Sequence, residues 1–202
     1  MQPNSSAGGQ VVTLRGGLLL GTALARRLVK VDTLLYCVAE LPAEAVHDGP
    51  AWIRPATAAD AQALARLAGG RRTVRKRLAG GDYAVVAEQE DQLIGVVWIT
   101  ARPLRLPGYG LNVDASPELP YSYGLRVIPS ARRRGVGTAL AYYVREVEGP
   151  RLGFRCMSYH ISPSNPMTYR RHVAEANALT IGELRVLVLL DRIPRVIRSR
   201  RV

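Results

Sequence analysis

The 202-residue sequence predicts a mixed α/β (α+β) domain, and three observations carry that reading. Short β-branched and aromatic runs, bounded by glycine and proline, alternate with stretches of helical periodicity. Hydrophobic residues make up 48% of the chain and charged residues 22%, which supplies a real core and argues against a disordered polycation. The 19 glycines and 13 prolines follow no collagen-like period, and no repeat of solenoid length recurs.

The elements follow in order. Over 14–29, Leu14, Leu18, Leu24, Ala25, Leu28 and Val29 share one helical face while Arg15, Arg26 and Lys30 share the other. Such an amphipathic helix docks on the body of the protein or, as the alternative, on an anionic membrane surface; its apolar run 16–25 is about half the length of a bilayer crossing. The run TLLYCV at 33–38 reads as a short strand and 41–50 as a linker, so 1–50 is expected as an N-terminal extension and 51–202 as the main domain. A short strand at 51–57 leads into a helix over 58–69, with Ala61, Leu64, Ala65 and Leu67 as its stripe and Asp60 in its first turn. A very basic helix follows at 71–79, closed by Gly80 and Gly81. The apolar runs 83–88 and 92–100 flank the polar turn Gln89-Glu90-Asp91 and read as a hairpin. Four prolines and two glycines make 102–120 a long loop with room for a strand inside it. A strand at 121–128, a helix at 135–148 facing inward through Val136, Leu140, Tyr143, Val144 and Val147, and a strand at 155–161 come next. A helix is expected from Asn165 to 176 with Pro166 at its first position, then a last strand at 183–190 and a basic tail at 192–202.

The formal net charge is +12, from 28 basic against 16 acidic residues, and only Lys30 and Lys76 are lysines. Selection for an acidic partner and a coding bias toward arginine both fit that excess. The basic residues are scattered among elements, with no aromatic-interleaved stripe and no recognition helix, so nucleic-acid binding is not expected. Cys37 and Cys156 fit neither a metal-ligand spacing nor a disulfide framework, which points to no metal and to a reducing, cytoplasmic compartment.

The most specific signal lies between the 121–128 strand and the next helix, in the segment Val127-Ile-Pro-Ser-Ala-Arg132-Arg133-Arg134-Gly135-Val136-Gly137-Thr138. Glycines at a strand-to-helix turn let the backbone approach a ligand, and the helix N-terminus offers it N–H groups and the positive end of the dipole. With three arginines beside it, the turn suits a pyrophosphate, and Arg133 or Arg134 can reach phosphates directly. It has neither the Walker A spacing nor the dinucleotide G-x-G-x-x-G pattern.

Arg132-x-x-Gly135-x-Gly137, after a strand that ends Val127-x-Pro129, resembles the coenzyme A pyrophosphate loop of the GNAT superfamily of N-acetyltransferases, and the element order resembles that family over roughly 51–190. The resemblance implies a GNAT fold, with a mixed central sheet, a splayed strand pair and flanking helices. It implies acetyl-CoA or another acyl-CoA as co-substrate and direct attack by a primary amine of a small molecule or peptide. Carried onto this sequence, the donor site comprises Leu125, Val127, Arg132, Arg133, Arg134, Gly135, Val136, Gly137, Thr138 and Asn165. The family's pattern N-x-x-A-x-x-x-Y-x-x-x-G-F begins at Asn165; His172 stands at the tyrosine position and Ala176-Asn177 replaces Gly-Phe. His172 is then the candidate acid for the departing thiolate, with Tyr169 the second choice. The 121–128 strand carries no carboxylate, so Glu118 and Asp114 are the nearest candidates for the amine's base, with His160 on the facing strand and a water relay as alternatives.

On the acceptor side the resemblance places Arg71, Arg72, Arg75, Lys76 and Arg77, suited to an acidic acceptor or to an acyl carrier protein. Leu104, Leu106, Tyr109, Leu111 and Val113 either wall an apolar tunnel for longer acyl chains or belong to the core. A carrier-protein-dependent fatty N-acyltransferase and a catalytically silent CoA-binding module remain the alternative functions. The sequence leaves open a homodimer and the identity of the acceptor.

Overall fold

The computed structural model describes residues 29–46, 48–106, 109, 111–165, 170, 178–189 and 193–201. The amphipathic helix expected over 14–29 lies outside them, except that Val29 and Lys30 open a strand. Nearly all of the helix expected after Asn165 is outside them too, Tyr169 and His172 included. Among the described residues, no helix is long and apolar enough to cross a membrane.

Among the described residues there are ten strands: β1 (Val29–Glu40), β2 (Ile53–Pro55), β3 (Tyr83–Gln89), β4 (Gln92–Thr100), β5 (Leu104–Leu106), β6 (Leu111–Val113), β7 (Tyr121–Val127), β8 (Cys156–Ile161), β9 (Leu179–Leu189) and β10 (Ile193–Arg201). Among the described residues, the helices longer than one turn are α1 (Ala61–Leu67), α2 (Arg71–Ala79) and α3 (Val136–Tyr143); α3 runs on through a wider turn, Val144–Glu148. Eight strands form one sheet in the order β10-β9-β1-β8-β7-β4-β3-β2, and β5 and β6 make a small separate hairpin inside the 102–120 loop.

The central strands are apolar at nearly every position because both faces of the sheet are covered. Side chains alternate across a strand, so Val85, Val97 and Ile99 face α3, packing with Leu140, Val144 and Val147. Val86, Val96 and Trp98 point the other way, onto Leu64 and Val74 of the α1–α2 pair, where Tyr121 and Tyr123 of β7 join them. At the α1 corner, Arg54 donates two hydrogen bonds to Asp60, at 2.8 and 3.0 Å, and a third to Glu88 at 2.9 Å. The Asp60 carboxylate, which also accepts from the Thr57 N–H, is held down at about 2 by that guanidinium.

Two expectations change here. Residues 1–50 were expected as an extension, yet β1 lies inside the main sheet, antiparallel to β8 on one side and to β9 on the other. A division at residue 50 would therefore cut one sheet in two. The expected basic tail is the edge strand β10, paired with β9 from Ile193 to Arg201, and β9 itself begins at Leu179 rather than at 183.

All pairings in the large sheet are antiparallel except β7 with β8, which run parallel and meet at one register position, Tyr121 opposite Ser158. The Ser158 N–H and hydroxyl both donate to the Pro120 carbonyl, at 2.8 and 3.0 Å, and pin the strands at that end. Beyond it no ladder holds them, and they splay.

Candidate functional site

A cavity of about 400 Å³ fills the splay. Leu125 and Arg126 of β7, Tyr159 and His160 of β8, and Val144 and Arg145 after α3 are among its walls. The wider turn that carries Val144 and Arg145 fits the habit of such turns to sit at functional sites. The β4–β7 ladder also loses register here, between Val96 and Trp98, opposite Gly124 and Leu125. Gly124 makes that bulge at φ 64°, where an added Cβ would lie 3.3 Å from the Trp98 ring and 3.7 Å from the Arg77 guanidinium. Gly124 and Leu125, at this break in the ladder with β4, both line the cavity.

At its far end β7 leads into the arginine-glycine turn. Arg132 Nε donates to the Val127 carbonyl at 3.1 Å, Arg133 sits at φ 61°, and Gly135 occupies the left-handed N-cap of α3 at φ 82°. The first bond inside the helix runs from Ala139 N to Gly135 O at 2.9 Å, so the Val136 and Gly137 N–H groups precede the helical ladder. The Val136 side chain is in the core, which leaves only its backbone for a ligand. A Cβ at Gly137 would touch Leu125 and Val127 at 3.7 Å, an ordinary contact, so this glycine opens space beside the two strand residues. Leu125, Val127, Gly135 and Gly137 thus converge. Arg132, Arg133, Arg134 and Thr138 are exposed around them, but Arg134 also borders a second hollow with Trp52, Glu88 and Glu90 on the hairpin side. Asn165 lies exposed beyond the end of β8, its N–H bonded to the Ser162 carbonyl.

On the opposite face, Tyr36 of β1, Tyr121 of β7 and His160 of β8 meet. His160 Nδ1 is 2.7 Å from the Tyr121 hydroxyl, and its ring stacks on Tyr36 at 4.8 Å. His160 lines both the splay cavity and a neighbouring one of about 500 Å³ that also holds Asn112, Asp114 and Glu183. Burial pulls the imidazole down to about 4, because its charged form would lose water without gaining a carboxylate, and burial pushes the Tyr121 phenol up. The unfolded chain therefore binds a proton at His160 between pH 6.5 and about 4 that the folded chain refuses. Stability conferred by the neutral ring is present above 6.5 and is lost as pH falls toward 4, on the order of 2–3 kcal/mol. Urea denaturation at pH 7 and pH 4.5 should show the wild type losing that much more than His160→Gln; equal losses would mean that His160 does not titrate this way.

Of the residues singled out in the sequence, some border a cavity and others do not. Asp114 borders the second cavity, whereas Glu118 is fully exposed, lines neither cavity, and holds its lowered carboxyl through Ser116. Tyr36, Tyr121, Tyr123 and Tyr159 were not anticipated, although the alternation in Tyr121-Ser-Tyr123 already put two of them on one face. Leu106 and Tyr109 line the splay cavity, while Leu111 and Val113 line the second; Leu106 and Val113 are buried in the core as well. Among the described residues, no cluster of three or more His, Cys, Asp or Glu side chains is arranged to hold a metal, and Cys37 and Cys156 are free thiols.

Comparison with known proteins follows this geometry. A family model described as "Acetyltransferase (GNAT) family" matches residues 52–172, more than half of the chain. No curated protein matches the sequence. Among solved structures, a GNAT-family structure from Novosphingobium aromaticivorans superposes with a TM-score of 0.53 at 15% identity, covering 85% of this chain and 63% of that one. A functionally unknown conserved protein from Staphylococcus epidermidis gives 0.53 at 12% identity over 93% of this chain and 70% of its own. An aminoglycoside N-acetyltransferase in complex with CoA is 27% identical over 60% of this chain and 87% of its own, with a TM-score of 0.40. The chain thus spans less than two thirds of the first of these structures, and at such identities the first two likenesses are of fold.

Proposed function

The chain belongs to the GNAT acetyltransferase family, and from that premise we propose that it transfers an acetyl or longer acyl group from acyl-CoA to a primary amine of a small molecule or peptide, in the cytoplasm. The observation that carries the reading is the continuity of the splayed β7–β8 cleft with the glycine-arginine turn at the start of α3. A thioester with its pyrophosphate against the Val136 and Gly137 N–H groups has its pantetheine arm along Leu125 to Val127, which brings the carbonyl to the bulge. Strand N–H groups at the bulge then stabilise the oxyanion as the amine attacks.

The His160–Tyr121 pair is assigned to the amine. In the tautomer whose Nδ1 donates to Tyr121, Nε2 keeps a lone pair for the nitrogen's proton. The thiolate's proton is assigned, on the sequence reading, to His172 with Tyr169 second. A carrier-protein thioester is the second reading, favoured by Arg71, Arg72, Arg75 and Lys76, all exposed on α2 as a docking surface for an acidic protein.

The test is acetyl-CoA binding by calorimetry together with thiol release over a panel of amines. Tight CoA binding with amine-dependent release is expected, and His160→Gln should lower kcat about 100-fold, within the range of general acid–base groups, at unchanged CoA affinity. Absence of both binding and release with CoA thioesters sinks the CoA reading. The same assay with acyl carrier protein thioester then decides for or against the second.

A further inference from the structure

Among the described residues, three arginines, Arg77, Arg126 and Arg145, line the splay cavity, and no carboxylate does. Arg145 is paired with Glu146 and leans on Tyr142. Arg126 is exposed on β7, beside the donor cleft. Arg77 is different. It comes from the last turn of α2, is half-buried, and lies 4.9 Å over the Trp98 ring and 5.0 Å over the Tyr123 ring. Among the described residues, no group accepts a hydrogen bond from its guanidinium; the nearby carboxylate, Asp82, accepts from the Tyr123 hydroxyl through Oδ2 and has Oδ1 within ion-pair distance of Arg102.

Aromatic stacking occupies the faces of a guanidinium and leaves its edge, with five coplanar N–H donors, for a planar acceptor. A half-buried cation that keeps this edge unbonded is costly unless something meets it there. The face of the sheet on which Arg77 lies narrows the choice. Trp98 and Tyr123 belong to the α1–α2 side, whereas the pyrophosphate turn leads into α3 on the other. Arg77 is thus set apart from the donor's phosphates.

We propose, resting on the N-acyltransferase reading above, that the cavity takes a co-substrate bearing a carboxylate and that Arg77 receives this group edge-on. The carboxylate belongs either to the acceptor, an amino acid or a peptide C-terminus, or to the acyl chain of a dicarboxylic acid monothioester. Both present the same planar anion to the same guanidinium.

Two binding series separate the sources. In the first, CoA-loaded protein is titrated with N-acetylglycine, N-acetylalanine and N-acetylphenylalanine, each against its carboxamide. In the second, protein without ligand is titrated with succinyl-CoA against acetyl-CoA. One series should show a preference for the carboxylate of about 30-fold in Kd, as for a charge-assisted bidentate contact. Arg77→Met should remove the preference, and Arg77→Lys should keep part of it, with acetyl-CoA affinity unchanged in both. Equal affinity within every pair, or a preference that survives Arg77→Met, overturns the proposal. If CoA thioesters do not bind at all, the donor assignment fails, and the first series run without CoA still decides the role of Arg77.

Discussion

Replacing Gly137 with glutamate is expected to weaken CoA binding about 100-fold, or about 2.7 kcal/mol, while leaving the fold as stable as before or more so. The two halves of that expectation have separate causes. A Cβ at this position meets only Leu125 and Val127, at 3.7 Å, so nothing in the fold requires glycine. Glycine inside a helix is disfavoured relative to other residues by up to about 1 kcal/mol, and an acidic side chain in the first turn complements the helix dipole. The same side chain puts bulk and negative charge where a pyrophosphate would meet the Val136 and Gly137 N–H groups. Gly137→Ala isolates the steric part and should raise the melting temperature slightly while weakening CoA. A Gly137→Glu variant that binds CoA as the wild type does would place the donor elsewhere, and one that melts early would mean that the glycine serves packing.

That turn was legible because its information is local: residue types at fixed spacing fix φ, charge and N–H direction together. The central hairpin was legible for a related reason. Burial on both faces makes 84–87 of β3 and 93–99 of β4 apolar, and the polar stretch from Glu88 to Gln92, with its turn at Glu90 and Asp91, has no place inside such a run. The neighbours of β1 were not legible. Its pairing with β8 and β9 spans most of the chain, and polar Lys30 and Asp32 hid its first residues. In β10 the density of arginine concealed the Ile193 and Val196 that suit a strand. The meeting of Tyr36, Tyr121 and His160 depends on the order of three strands and leaves no trace in sequence spacing. Arg77 did leave one. It stands three residues after buried Val74 on α2 and therefore shares Val74's inward side, while Arg71, Arg72, Arg75 and Lys76 are exposed. Read as one charge cluster, the segment obscured the member that turns in.

Asp82→Ala should cost about 3 kcal/mol of stability, the low end for breaking a buried charged pair, because one of its partners can escape to water. Asp82 is 7% exposed; its Oδ2 accepts from the Tyr123 hydroxyl at 2.6 Å and its Oδ1 lies 3.0 Å from Arg102 Nη2. Truncation leaves the Tyr123 hydroxyl buried without an acceptor and the half-buried Arg77 without its nearby negative charge, whereas Arg102, with 45% of its side chain exposed, can turn outward. Asp82→Asn restores a neutral acceptor for Tyr123 but not the charge, so it should recover only about 1 kcal/mol of the loss, the usual contribution of a hydrogen bond between neutral groups. Tyr123→Phe completes a double-mutant cycle, in which a coupling above about 0.5 kcal/mol with Asp82→Ala is expected for groups in direct contact. Urea denaturation of the wild type, the three single variants and the double variant reads all of these differences. Asp82→Ala and Asp82→Asn of equal stability would assign the whole effect to charge, and an Asp82→Ala variant as stable as the wild type would mean that Arg77 and Tyr123 hold their places at the cavity wall through the Trp98 stack alone.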